Sequence, residues 1–256
     1  MSANPFRLDG KRALVTGAGR GIGAGLARGL AEAGADLVLL ARSEGDLTET
    51  AASLADTGRK IDIFPCDLLK TREIGARFGE IVNEFGPIDI LVNNAGMSRR
   101  GAAVDLSSDD WQIVLDLNVT AMFELSRAFA RDRIARKVGG KVVNIGSLMC
   151  SATRPNVSAY TASKGAVLLL TNSLAVEWAE HGILVNAVGP GYIETPLTKP
   201  LTEDPKFTAW VKESCPLGRW GQPSDLAGPV VFLASAASDF VTGQILYVDG
   251  GWLSRL

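Results

Sequence analysis

Arg12-Ala13-Leu14-Val15-Thr16-Gly17-Ala18-Gly19-Arg20-Gly21-Ile22-Gly23 is the stretch from which the architecture is read. A short apolar run ends in a glycine-rich turn, and the residues that follow return to helical spacing. Glycines at 17, 21 and 23 let the backbone turn sharply and come close to an anion, while the helix behind them offers free N–H groups and the positive end of its dipole. A glycine pattern alone is weak. Between a strand and a helix it marks a pyrophosphate seat, with Gly17, Gly19, Arg20, Gly21, Ile22 and Gly23 around the ligand.

Outward from this turn the chain alternates. Strands are expected at 12–16, 36–41, 61–64, 88–92, 141–146, 183–187 and 244–248, and helices at about 21–34, 44–57, 70–85, 107–135, 158–181 and 223–235. The strand runs are continuously apolar, as in strands covered on both faces. Alternating strands and helices with right-handed crossovers predict an α/β fold: a doubly wound, seven-stranded parallel sheet with helices on both faces. Ser107 and the acids at 109 and 110 signal one helix start, and Pro223-Ser224-Asp225 another. No linker or repeat divides the chain, so a single domain over 1–256 is expected. The stretch 189–221 carries five prolines and no strong strand; it reads as a mobile insertion, with a substrate loop at about 191–221.

Composition narrows the function. The chain has 256 residues, 46% hydrophobic, with Lys+Arg 26 against Asp+Glu 28 and a net charge of −2. Such a balance opposes a nucleic-acid footprint, and the apolar fraction excludes disorder. Three cysteines and one histidine, His181, are too few for a disulfide framework or a zinc cluster, so no metal is expected. The opening ten residues hold no signal-like apolar stretch and no run is long enough to span a membrane, which makes a cytoplasmic protein the expectation.

The second strand ends Leu39-Leu40-Ala41-Arg42-Ser43, without the acid that usually bonds the ribose 2′-OH of NAD. Arg42 and Arg20 instead suit a 2′-phosphate, so NADP(H) is favoured and NAD(H) remains possible. Asp67 and Leu68, after the third strand, suit the adenine. Asn93-Asn94-Ala95-Gly96 follows the fourth strand and lets the backbone approach a flat ligand. Ser147 lies past the fifth strand, Tyr160 thirteen residues later, and Lys164 four beyond that. Tyr and Lys at that spacing share a helix face, and an ammonium beside a phenol favours the phenolate, which suits general acid/base work near neutral pH.

Taken together, the glycine turn, Asn93-Asn94-Ala95-Gly96, Asn118, Ser147, Tyr160-x-x-x-Lys164 and Pro190-Gly191 resemble the short-chain dehydrogenase/reductase family over essentially the whole chain. The resemblance implies an NAD(P)-dependent enzyme interconverting a secondary alcohol and a ketone. Tyr160 is then the acid/base, Ser147 the group bonding the reacting oxygen, Lys164 a partner of the nicotinamide ribose, and Asn118 the holder of a proton-relaying water. Asn94, Ala95, Gly96, Pro190, Gly191, Ile193 and Thr195 lie along the cofactor. Cys150, without a His partner, is expected to line the site.

A finer resemblance is to bacterial sugar-acid members, the gluconate 5-dehydrogenases and 2-deoxy-D-gluconate 3-dehydrogenases. It rests on Met97-Ser98-Arg99-Arg100, Ser147-Leu148-Met149, Gly189-Pro190-Gly191-Tyr192, Gly218-Arg219-Trp220-Gly221 and the ending Val248–Leu253. A sugar acid needs a cation for its carboxylate, and Arg99, Arg100 and Arg154 belong to loops at the expected ligand edge, with Met149 and Tyr192 beside them. The alternatives are a 3-oxoacyl-carrier-protein reductase, to which the basic cluster Arg127, Arg131, Arg133, Arg136 and Lys137 is relevant, and a non-catalytic nucleotide sensor, which both Tyr160 and Lys164 argue against. The resemblance further implies a homotetramer, with the Ser158–His181 helix and Tyr247–Leu256 as contacts.

Overall fold

Parallel pairing in the order β3-β2-β1-β4-β5-β6-β7 organises the seven strands into one sheet. The computed structural model describes residues 4–255, so residues 1–3 of the opening segment and Leu256 of the last one lie outside it. The strands are β1 (Arg12–Thr16), β2 (Asp36–Ala41), β3 (Ile61–Pro65), β4 (Ile90–Asn93), β5 (Gly140–Ile145), β6 (Ile183–Pro190) and β7 (Ile245–Val248). The order reverses between β1 and β4, so the crevice at their C-terminal ends is where a doubly wound sheet takes its ligand.

Helices cover both faces. On one side α1 (Gly21–Glu32) and α9 (Ala227–Ala234) bury Leu26, Leu30, Val230 and Leu233 against Val15, Leu37 and Val92. On the other, α3 (Ile74–Phe85), α5 (Ala121–Ala135) and α6 (Ser158–Trp178) bury Phe78, Phe129 and Leu174 against Leu14, Leu91 and Val142. Continuous apolar strands are the consequence, since each residue meets a helix whichever way it points. Between lie α2 (Glu44–Ser53), capped by Ser43, and α4 (Ser108–Leu115), whose cap Ser107 accepts from Asp110 N at 3.0 Å as the sequence signals.

A chain of polar side chains threads this core between β4, β5, α5 and α6. Asn93 Nδ2 donates to Ser126 Oγ at 2.9 Å and to Asn144 Oδ1 at 2.8 Å, and Asn144 Nδ2 donates to Thr171 Oγ1 at 3.0 Å. All four residues are buried, and each side chain in the chain has a hydrogen-bond partner, which a low-dielectric interior demands.

Two expectations change. The helix expected over 107–135 is interrupted: residues Asp116–Thr120 form a π turn between α4 and α5. The 189–221 stretch is not without structure. β6 runs on to Pro190, a one-turn helix α7 spans Lys199–Thr202, and α8 spans Pro205–Ser214, while Ile193 pairs with Gly221 in a parallel bridge. Asp204 caps α8 by accepting from Lys206 N at 2.9 Å and Phe207 N at 3.3 Å, with Pro205 at its first position.

Candidate active site

The glycine turn closes around the C-terminal ends of β1 and β4. Gly17 has φ +63°, and a Cβ there would meet Asn94 Nδ2 at 2.9 Å; at Gly23 a Cβ would lie 2.1 Å from Gly17 O. No larger residue fits either position. Thr16 Oγ1 accepts from Asn94 N at 2.9 Å and Ala95 N at 3.0 Å, and Asn94 Nδ2 donates back to Thr16 O at 2.8 Å. These bonds fix the loop after β4 beside the turn. Thr195 lies across the opening, since a Cβ on Gly21 would touch its Cβ at 3.4 Å. The first turn of α1 carries no acid, so its N–H groups and dipole are free for an anion.

Arg20, at the start of α1, and Arg42, just after β2, stand exposed, and neither is in an ion pair among the described residues. Thr50 Oγ1, on α2, donates to Gly19 O at 3.0 Å and ties that helix to the glycine turn. Asp67 Oδ1 accepts from Leu69 N at 3.0 Å, and Leu68 is buried in the core beneath it. The cradle, the bare helix start and the two unpaired guanidiniums fit a dinucleotide bearing a phosphate on its ribose.

The candidate catalytic residues converge at the ends of β4 and β5 and the start of α6. Lys164 is 5% exposed, donates to Ile145 O at 2.7 Å, and keeps its Nζ 5.6 Å from the Tyr160 ring centroid. An ammonium in so dry a place needs its donors used, and the β5 carbonyl takes one of the three. Ser147, half-buried, caps a short turn by accepting from Met149 N at 3.2 Å, which leaves its hydroxyl proton uncommitted. Cys150 Sγ donates to Lys164 O at 3.2 Å, and burial pushes its thiol pKa up, so it stays a neutral lining group.

Asn118 sits in the π turn, 2% exposed. Its Oδ1 accepts from Met97 N at 2.9 Å; its Nδ2 donates to Met97 O and to Ser163 Oγ, each at 2.9 Å. Both amide hydrogens are therefore committed, so the side chain holds the loop after β4 against α6, and a water there would have to be held by an acceptor of Asn118. Ser163 in turn donates to Tyr160 O at 2.7 Å. Ser163 has no signal in the sequence beyond its place beside Lys164; Thr16 opens the glycine-turn motif, but its bonds to the loop after β4 are visible only in the fold.

The three arginines separate. Arg99 Nε is 3.2 Å from Asp110 Oδ1, on the α4 side. Arg100 and Arg154 share a groove with Gly101, Ala102, Pro155, Asn156 and Val157. Desolvation lowers the Arg100 pKa, and the Arg154 charge lowers it further; no carboxylate offsets either. Tyr192 faces the same pair: burial raises its phenol pKa while both guanidiniums draw it down. Around Tyr192 stand Phe207, Trp210 and Trp220 at 5.7 Å and Trp252 at 4.8 Å, ring centre to ring centre. No local pattern announces that cluster, because its members come from four separate segments.

Comparison with known proteins agrees with this geometry. A family model described as Enoyl-(Acyl carrier protein) reductase matches residues 17–253. The chain is 46% identical, over 100% of both chains, to a 2-dehydro-3-deoxy-D-gluconate 5-dehydrogenase of Escherichia coli (strain K12). It is 44% identical to a gluconate 5-dehydrogenase of Gluconobacter oxydans (strain 621H), covering 96% of each. A crystal structure of a gluconate 5-dehydrogenase from Burkholderia cenocepacia J2315, in complex with NADP and tartrate, superposes with a TM-score of 0.94 at 45% identity over 98% of each chain. The fold and site are those of a dinucleotide-dependent oxidoreductase. The chain belongs to the short-chain dehydrogenase/reductase family.

Proposed function

We propose that this protein is an NADP(H)-preferring oxidoreductase, able to use NAD(H), that interconverts a secondary alcohol and a ketone on a sugar acid of the gluconate type. The observation carrying the substrate class is the Arg100–Arg154 groove. It holds two guanidiniums without an acid, at the ligand edge of the sheet and beside Tyr160. A carboxylate held bidentately there supplies the missing negative charge. The similar proteins named for gluconate and its 2-dehydro-3-deoxy derivative support the same reading. A carrier-protein thioester is less well matched. The basic residues at the end of α5 are largely taken: Arg133 bonds Gly139 O at 2.7 Å and Ile88 O at 3.1 Å, and Arg136 pairs with Asp132 at 2.9 Å.

When bound, the nicotinamide supplies or takes the hydride. The protein's own part begins with the carboxylate on Arg100 and Arg154, which sets the sugar chain along the groove. Ser147 turns its free hydroxyl proton toward the reacting oxygen and stabilises charge developing there. Tyr160 gives that oxygen its proton during reduction and takes it during oxidation. Lys164, pinned to the β5 carbonyl, holds its ammonium beside the phenol. Asn118, through Met97 and Ser163, keeps the loop and the Tyr160 helix in register.

Among the described residues no helix is long and apolar enough to cross a membrane, and a cytoplasmic enzyme is proposed. Leu169 and Val176 on α6 are 69% and 82% exposed, which supports burial of that face against another copy in a homotetramer. The test of function is a spectrophotometric assay of NADPH oxidation with 5-keto-D-gluconate, and of NADP+ reduction with D-gluconate. Turnover in neither direction removes the sugar-acid assignment.

A further inference from the structure

We propose that Phe207, on α8, is a positioning residue for the substrate carboxylate: its ring face orients the Arg154 guanidinium, so that the anion seat is complete only while α8 is docked. The inference rests on the sugar-acid reading above and adds the residue through which the insertion acts on specificity. Arg154 has its Cζ 5.4 Å over the Phe207 ring centre and is in no ion pair among the described residues. A carboxylate that aims an arginine neutralises its charge and occupies the N–H fork. A ring does neither. It attracts the guanidinium through its face and leaves the N–H edges free for a planar anion.

The ring is itself firmly held. Asp204 and Pro205 fix the start of α8, and Trp210, Tyr192 and Trp220 pack on Phe207 with ring centres at 5.1, 5.7 and 6.2 Å. Tyr192, packed on Phe207, lies near enough to the same two guanidiniums for both to draw its phenol pKa down. Arg100, repelled by Arg154 and partly desolvated, has no acid of its own, so the charge that relieves both must come from the substrate. One helix of the insertion thus sets the geometry of a cation that belongs to another loop.

The experiment measures KM and kcat for 5-keto-D-gluconate, KM for NADPH, and quenching of tryptophan fluorescence by D-gluconate, in the wild type, Phe207→Leu, Phe207→Tyr, Arg154→Ala and the Arg154→Ala/Phe207→Leu double variant. Thermal melts report folding. Phe207→Leu is expected to raise KM for the keto acid by roughly 3- to 20-fold, the size of a cation–π contact, with kcat and KM for NADPH nearly unchanged. Phe207→Tyr is expected to restore the wild-type KM. In the Arg154→Ala background Phe207→Leu is expected to have no further effect, because the pair acts as a unit. An unchanged KM in Phe207→Leu, failure of Phe207→Tyr to rescue, or a full Phe207→Leu effect without Arg154 overturns the proposal while leaving the sugar-acid reading intact. Wild-type protein that neither reduces 5-keto-D-gluconate nor responds to D-gluconate overturns both.

Discussion

Asn118 Nδ2 donates to Ser163 Oγ at 2.9 Å, and through that bond the π turn between α4 and α5 is fastened to the residue beside Lys164. Ser163 passes the constraint on by donating to Tyr160 O. Replacing Ser163 with Ala strands a buried Asn118 N–H, at a cost of about 1–3 kcal/mol. Calorimetry should show a Tm lowered by several degrees, and kcat should fall while KM for NADPH holds. Unaltered stability would mean that water replaces the hydroxyl.

At the other end of the crevice, Arg20 and Arg42 are the residues proposed to take the 2′-phosphate and so to separate the two cofactors. With both changed to Ala, KM for NADPH is expected to rise about 10- to 100-fold, the loss of one or two charge-assisted contacts, while KM for NADH moves little. Equal changes for the two cofactors would remove the 2′-phosphate assignment.

Tyr160→Phe tests the proposed proton-handling role of Tyr160. The ring still packs near Lys164, so binding of NADPH, followed by fluorescence, should survive. Loss of the acid/base is expected to lower kcat by about 10²- to 10⁴-fold; retention of turnover would falsify the assigned role.

Trp220 carries an oddity. It is 3% exposed, and its Nε1 has no hydrogen-bond partner among the described residues. In Trp220→Phe the lost packing is offset by removal of the stranded donor, so Tm should change by only about 3 °C or less. Trp220→Ala keeps no such offset and is expected to cost about 3–5 kcal/mol. Similar melts for the two variants would show the cluster to be structurally unimportant.

Acid should loosen the segment before α9. Arg219 Nη1 is 2.7 Å from Asp225 Oδ2, and this guanidinium, helped by Gln222 N, holds the Asp225 carboxyl below its ordinary range. A depressed carboxylate stabilises the fold above its unfolded pKa of about 4, and the benefit fades as pH falls through the lowered value. Both side chains keep contact with solvent, so the effect is under about 1 kcal/mol. The Tm gap between wild type and Arg219→Ala should be present at pH 7 and shrink toward pH 3. A constant gap would assign Arg219 a packing role.

What could be read from the residues was what is written locally. β1, the glycine turn and α1 declare themselves because strand, turn and helix signals follow one another directly. Lys164 and Tyr160 share a face because four residues is about one helical turn. The π turn at 116–120 had no residue type to announce it; it follows from Asn118 reaching Met97 and Ser163 together. For α8 the Asp204-Pro205 start was present but overshadowed by the surrounding prolines. The ring cluster and the parting of Arg99 from Arg100 and Arg154 are products of tertiary packing, which brings residues 100, 154, 192, 207 and 252 into one neighbourhood.

Strands as greasy as β4 and β5 could slide past one another at little loss, since every offset still hides methyl groups. Asn93 and Asn144 face each other across that pair, and Asn93 Nδ2 donates to Asn144 Oδ1 there. Any other offset would break that bond and leave the buried Asn144 Oδ1 without its donor. The pair is thus a registration pin, sited just beneath Asn94 and Ser147, and the alignment of the reactive ends is inherited from a bond that touches no substrate.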